Sequence, residues 1–420
     1  MTDAGNGGPG GRGHAFVTGV GAVTPLGVGA ENFWDAALHG KSGVAEISLF
    51  DPSPFPSHIA GECSDFDATA FMSKKEARRM DRYAQFGIAA GLEAAENAGI
   101  VETVREMPDR VAIVMGSGIG GLSTWEREYR VLDEKGARRV SPFLITMMVP
   151  NMAAGQLAIM LGATGPSQCP VLACATGGEA IAEGLELIRR GDADVVIAGS
   201  SEAPITPLSM AGFCAIRAIS TRNEEPHRAS RPFDAGRDGF VMSEGAGAVV
   251  LEAPEHAERR GADPIASVAG YGRTTDAYHV TAPDPDGRGV ERAMGFALED
   301  AGLSSEDIGH VNAHATSTPT GDGPETKAIS RLLPYASVSA TKSMTGHSFG
   351  AVGATEGIMC ALALKHKVLP PTINLDKLAS DCEPLDYVEE AREVPDLRAA
   401  VSNSMGFGGH NVVVAFAGVE

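Results

Sequence analysis

Short apolar runs that end in glycine-rich turns recur along this chain, with stretches of helical spacing between them. Ala15 to Thr24, Arg110 to Gly116, Asp194 to Gly199, Gly245 to Glu252, Ile308 to Val311 and Val412 to Ala417 read as strands. Glu31 to His39, a run beginning at Ser73, and Glu179 to Arg190 read as helices. This alternation predicts an α/β fold with a largely parallel sheet. At 420 residues the chain is long enough for two domains or two fused halves. The charged stretch from Pro254 to Pro264 is the best boundary between them. After it, Ile265 to Gly272 echoes the opening run Phe16 to Gly21, and a second glycine turn, Thr341 to Gly346, precedes a helix. Three parts are therefore expected: a disordered tail over 1–14, a first half over 15–257 and a second half over 258–420.

The stretch Ala173-Cys174-Ala175-Thr176-Gly177-Gly178 organises the first half. Pro170-Val171-Leu172 before it suits a buried strand end. Beyond it, Ala180, Ile181, Gly184, Leu185 and Ile188 fall at helical spacing. Cys174 is thus expected in a tight strand-to-helix turn, where the helix dipole and unpaired N–H groups favour a thiolate and could hold an oxyanion. A buried structural cysteine is the plainer reading of a lone Cys; the small, glycine-rich surroundings favour a nucleophile. Cys63, Cys169, Cys214, Cys360 and Cys382 are scattered, without zinc spacing, and predict reduced thiols in a cytoplasmic protein. A net charge of −20 argues against nucleic acid or an anionic membrane as partner, and no apolar run approaches a membrane span. Met1 to Gly13 lacks the apolar core of a signal peptide.

Three further segments have the turn-rich composition of a site. Asn312 to Thr318 sets His314 among small residues, Thr341 to His347 precedes a helix that carries Glu356, and Asn403 to Asn411 is a glycine loop before the last strand. One cysteine with two such histidines suggests thioester or acyl chemistry.

Together with Ser230 to Asp234 and Arg237 to Gly247, these motifs resemble the β-ketoacyl-ACP synthases, most closely the elongating synthase II type, from about Ala15 to the C-terminus. The resemblance implies a thiolase-like fold of two similar halves in a layered αβαβα arrangement, normally a homodimer. It implies that Cys174 takes the acyl chain as a thioester. His314 and His347 would drive malonyl decarboxylation through neutral Nε2–H donors. Backbone N–H groups of Cys174 and Phe407 would form the oxyanion hole, with the Phe407 ring as gate. Lys342, with Glu356, would order the second histidine motif, and Thr316 and Thr318 would bind the phosphopantetheine arm. Asp276, Asp322 and Arg237 would be structural anchors. No cofactor or metal is implied, and the partner is acyl carrier protein.

A helix from Ser73, with Glu76 as the far side of a capping box, places Lys75, Arg78, Arg79 and Arg82 on one face and Lys74 at its edge. In so acidic a chain, such a face suits an acidic carrier protein. Ala315 after His314, His410 after the glycine loop, Ser348-Phe349-Gly350 and Gln168-Cys169 depart from the usual pattern; no catalytic part is assigned to His410. The other readings are a chain-length-factor-like subunit without activity, a thiolase acting on acyl-CoA, and an initiating synthase. Retention of Cys174, His314, Lys342 and His347 argues against the first, and the absence of any cysteine after Cys382 against the second. His347 stands where an initiating synthase has Asn. Fatty acid and polyketide or polyene pathways stay open, as do a homodimer and a heterodimer with a related subunit.

Overall fold

The computed structural model describes residues 13–419, so residues 1–12 of the expected tail lie outside the described residues. Gly13, assigned to that tail, is held: its carbonyl accepts two bonds from the Arg189 guanidinium, at 2.9 and 2.8 Å.

The first half supplies strands β1 (Ala15–Thr24), β2 (Val111–Gly116), β3 (Ser167–Gln168), β4 (Val195–Glu202) and β5 (Gly245–Glu252). The second supplies β6 (Ala266–Thr275), β7 (Ile308–Asn312), β8 (Ser337–Ser339), β9 (Asp386–Tyr387), β10 (Ala399–Gly406) and β11 (His410–Ala417). They pair in the order β9-β8-β7-β10-β11-β6-β1-β5-β4-β2-β3. Outward from the β6/β1 seam, each half repeats one pattern. The first strand pairs antiparallel with the last, the last pairs antiparallel with the one before it, and the outer pairings, two in the first half and three in the second, are parallel. The two segments that echo each other in sequence are β1 and β6. They meet at the seam in antiparallel register, Ala15 opposite Val268 and Val17 opposite Ala266.

The expected largely parallel sheet is therefore corrected to a mixed one, parallel only in its outer pairings. Parallel neighbours need a crossover of a dozen or more residues, whereas β10 and β11 are joined by the short turn 407–409, which permits only a hairpin. Pro170 to Leu172 is not a strand either. The strand there is β3, Val171 is half exposed, and the Leu172 N–H bonds to the Thr176 hydroxyl instead of a ladder.

Helices complete the layers. α1 (Arg82–Ala98) covers one face of the first half and α3 (Arg288–Ala301), followed by α4 (Asp322–Leu332), covers the matching face of the second. α2 (Thr176–Arg189) and α5 (Val352–His366) lie between the halves, packed on each other and on strands of both. A helix enclosed on all sides has no solvated stripe, and α5 buries every residue from Val352 to Leu364. Glycine permits the tight crossing: a Cβ on Gly177 would stand 2.3 Å from the Ala354 nitrogen, and one on Gly353 2.5 Å from the Gly178 nitrogen. The crossing brings the start of α2 and the segment before α5, one from each half, into contact.

The capping box at Ser73 is present: Ser73 Oγ accepts the Glu76 N–H and Glu76 Oε2 accepts the Ser73 N–H. The long helix expected after it is not. A four-residue helix, Lys74–Ala77, ends there, and α1 starts afresh at Arg82. Asp81 causes the break. Its carboxylate accepts the Tyr83 N–H as the α1 cap, and also the Thr124 N–H and Ser123 hydroxyl of a neighbouring helix.

Gly177→Ala is expected to destabilise the fold by roughly 1–3 kcal/mol, because the helices must part to admit the methyl group. Gly295→Ala in α3, where a Cβ meets nothing within 4 Å, should be neutral or stabilise by about 0.5–1 kcal/mol. Urea unfolding midpoints of the two variants check the contrast.

Candidate functional site

Cys174 sits in a single 3₁₀ turn, Ala173–Ala175, just ahead of α2. Ala173 has φ +48°, in the left-handed region, and Thr176 holds the turn by donating to the Ala173 carbonyl and accepting the Leu172 N–H. Across the seam between halves, His347 follows Gly346 after the short helix Lys342–Thr345. Its main chain is bonded on both sides, N–H to the Val241 carbonyl and carbonyl from the Ser243 N–H. His347 Nε2 lies 3.0 Å from Cys174 Sγ. His314 lies two residues beyond β7; its ring meets that of His347 edge to face, centroids 5.5 Å apart. Both Nδ1 atoms are buried and have no hydrogen-bond partner among the described residues.

Cys174, His314, His347, Thr316, Thr318 and Phe407 line one cavity of about 390 Å³. Lys342 and Glu356 do not. They lie behind the histidines, fully buried, with Nζ 2.6 Å from Oε1. Lys342 therefore reaches the cavity through its field rather than by contact. Arg237 and Asp322 back the Thr318 turn: Arg237 Nε donates to the Thr318 carbonyl, and Asp322 accepts the N–H groups of Thr318 and Phe233. Asp276 accepts from the Asn411 amide. His410 is outside the cavity lining.

Two buried carboxylates escaped the sequence reading. Glu325 accepts the backbone N–H groups of His314 and Ala315, at 2.7 and 2.8 Å, and the Asn403 amide. Glu202, at the end of β4, accepts from Ser117 Oγ and from the N–H groups of Gly118, Ile119 and Gly350. Each was a single acid without spacing to mark it; the only trace of Glu202 is a charge closing an otherwise uncharged strand.

The electrostatics correct one expectation. Position ahead of a helix predicts a thiolate, but burial pushes the Cys174 thiol up to about 12, despite the Lys342 charge and the backbone amides of Phe407 and Cys174. The dipole is weaker than desolvation here, because the sulfur is enclosed and precedes the regular helix. Burial, with Lys342 adding to it, holds both His314 and His347 well below 6.5. The resting site is a thiol beside two neutral imidazoles.

The basic cluster also changes. Lys74, Lys75, Arg78 and Arg79 are exposed, and Arg79 lies over the Phe143 ring. Arg82 does not belong with them: it forms a two-pronged pair with buried Glu244, donates to the Cys63 carbonyl and packs on Phe86. The helix break at Asp81 turned it inward.

Residues 15–257 match the model of the β-ketoacyl synthase N-terminal domain and residues 265–376 that of the C-terminal domain. The chain belongs to the β-ketoacyl synthase family. It is an acyltransferase with the mixed α/β, thiolase-like ketosynthase fold. It is 47% identical over 404 residues to the 3-oxoacyl-[acyl-carrier-protein] synthase 2 of Staphylococcus aureus, covering 95% of this chain and 100% of that protein. Among solved structures it resembles the ishigamide ketosynthase/chain length factor, with TM-score 0.90, 32% identity and coverage of 97% and 100%. It also resembles a type II polyketide synthase ketosynthase in complex with its acyl-carrier protein, with TM-score 0.89, 31% identity and coverage of 97% and 99%. Among the described residues, no group of His, Cys, Asp and Glu could hold a metal ion, and no helix is long and apolar enough to cross a membrane.

Replacing Lys342 by Met strands Glu356 in the core and is expected to cost roughly 3–5 kcal/mol. Lys342→Met with Glu356→Leu removes both charges and should recover most of that loss. Chemical denaturation of the single and double variants measures the difference.

Proposed function

We propose that this ketosynthase is an elongating β-ketoacyl-[acyl carrier protein] synthase, with the nucleophile in the half 15–257 and both histidines in the half 258–420. The carrying observation is Cys174 Sγ at 3.0 Å from His347 Nε2, in a cavity shared with His314. The acyl group passes from the carrier thioester to Cys174, with Nε2–H donation from His347 stabilising the sulfur as it ionises; the thiol proton leaves on the departing pantetheine sulfur. Malonyl thioester then loses CO₂, and Nε2–H donation from His314 and His347 stabilises the enolate oxygen. The enolate carbon attacks the Cys174 thioester. The resulting oxyanion is held by the N–H groups of Cys174 and Phe407, and collapse releases the β-ketoacyl product and the Cys174 thiolate, which takes a proton from water to restore the thiol. Neutral histidines suit this step, since a charged imidazole would protonate the enolate. Thr316 and Thr318, hydroxyls 3.2 Å apart at the cavity wall, are the pantetheine contacts. Lys342 and Glu356 are positioning residues.

The acidic carrier docks on Lys74, Lys75, Arg78 and Arg79; the named complex of a related ketosynthase with its carrier protein supports such docking. The enzyme works as a dimer with an identical or related subunit. Support comes from bare apolar side chains, with Ile159 at 74% and Val171 at 50% exposure, and from Ile119, Trp125 and Leu208 bordering an open hollow. Six free cysteines fit a cytoplasmic setting.

Cys174→Ala is expected to abolish acyl-enzyme formation and condensation without unfolding, as read by intact mass and product assay. His314→Ala and His347→Ala should lower CO₂ release from malonyl thioester at least about a hundredfold while sparing acylation more. In the Cys174→Ala variant, CO₂ release should persist as pH falls through 6.5, because the active neutral imidazoles protonate only well below that value. An acid limb centred near 6.5 would contradict this.

Arg78→Glu with Arg79→Glu should raise KM for acyl and malonyl carrier protein and flatten its salt dependence, leaving N-acetylcysteamine thioesters unaffected. Equal loss with both substrate types would assign these residues to the fold instead.

A further inference from the structure

The cavity has two chemically different sides. Thr316, Thr318 and Asp276 make one polar; Phe240, Phe349 and Ala218 make the other apolar. The apolar side belongs to a cluster that includes Cys174 itself, with Met210, Met242 and the partly buried Phe213 behind it. Within it three phenylalanine rings meet. Phe349 stacks on Phe213 at 4.8 Å with an interplanar angle of 26°, and Phe240 stands edge-on to both, at 5.5 Å from Phe349 and 5.3 Å from Phe213. Phe349 also lies 5.0 Å from the His347 ring, so this wall begins immediately beside the sulfur.

Placing that ring costs backbone strain. Phe349 has φ +46°, a conformation that bulky side chains rarely adopt. The turn is pinned on its far side. Glu202 accepts the Gly350 N–H, and a Cβ on Gly350 would stand 2.5 Å from the Gly118 nitrogen. Strain of this kind persists where the surroundings over-determine it, and it gathers at sites that use it. Here it holds the Phe349 ring beside His347 and within the apolar cluster that contains Cys174.

We infer that Phe349, with Phe213 and Phe240, is a specificity-determining wall that selects a planar, conjugated acyl chain over a saturated one. The inference rests on the proposed acylation of Cys174. A conjugated chain presents a flat π surface to rings that favour offset-stacked and edge-on contacts. It also has fewer rotors to immobilise between them. A saturated chain meets the same rings with tetrahedral carbons and must freeze more torsions. The reaction class that supplies such a substrate is dehydration of a β-hydroxyacyl thioester without subsequent reduction of the double bond.

The test is the rate of Cys174 acylation by hexanoyl and sorbyl N-acetylcysteamine thioesters, which bypass carrier docking. It is followed by intact mass, and each rate is divided by that of free N-acetylcysteine thiol with the same thioester. The unmodified enzyme should favour the doubly unsaturated sorbyl chain by about tenfold, the ratio that one or two aromatic contacts supply. Phe349→Leu should bring the ratio close to one by slowing sorbyl loading far more than hexanoyl loading, and Phe213→Leu should move it in the same direction. Equal loading of both chains by the unmodified enzyme, or an equal fall for both in Phe349→Leu, would overturn the selective wall and leave the condensing reaction standing. Failure of either chain to reach Cys174 would bring down the acylation reading and this inference together.

Discussion

The ion pair between Lys342 and Glu356 supplies the buried charge that acts on Cys174, His314 and His347 alike. Both groups are fully buried, so their field acts through protein rather than water and is screened far less than a surface charge. The pair is local to the second half, bridging the short helix Lys342–Thr345 and α5. Its positive end raises the cost of protonating His314 and His347 and partly offsets the burial of Cys174. One cation thus adds to the burial that keeps two imidazoles neutral and opposes the burial that holds the thiol protonated, without lining the cavity.

That cation could not act on Cys174 unless the two halves met closely. The glycine crossing of α2 and α5 provides the meeting, and the repeated strand pattern explains why the contact is so regular. In each half a helix N-terminus approaches the seam, and in each a segment of small residues leads into it. The first half delivers sulfur there and the second delivers nitrogen. Glu202 ties the turn after β2 to the turn before α5, so the apolar side of the cavity is also built from both halves.

Three of the positive-φ residues mark turns at the cavity: Ala173 beside Cys174, Ser317 between Thr316 and Thr318, and Phe349 two residues after His347. Hydrogen bonds hold each turn. Thr176 grips the Ala173 carbonyl, Ser317 Oγ accepts the Arg231 N–H, and Glu202 takes the Gly350 N–H. Rigid turns fix the sulfur and the imidazoles in relation to one another, which is what a reaction between two bound thioesters requires.

Much of this was legible in order along the chain. Apolar runs located most of the strands, glycine turns located Cys174, His314 and His347, and the boundary stretch separated two halves whose opening strands resemble each other. Local patterns carry such information because strands, caps and turns are decided by neighbours in sequence. Strand direction was not legible, since the hairpin across 407–409 shows only as a short glycine turn. Arg82 was misread because helical periodicity says nothing of the capping role by which Asp81 ends one helix and starts another. The thiol state of Cys174 was misread for a different reason: a dipole is a local property, but desolvation depends on everything that encloses the sulfur. Glu325 gave no signal and Glu202 only a lone charge at a strand end, because their partners lie on segments brought near only by folding. The sequence determined which residues could do chemistry and which turns would carry them. Tertiary structure alone decided their distances, their burial and therefore their charge, since those follow from which surfaces exclude water.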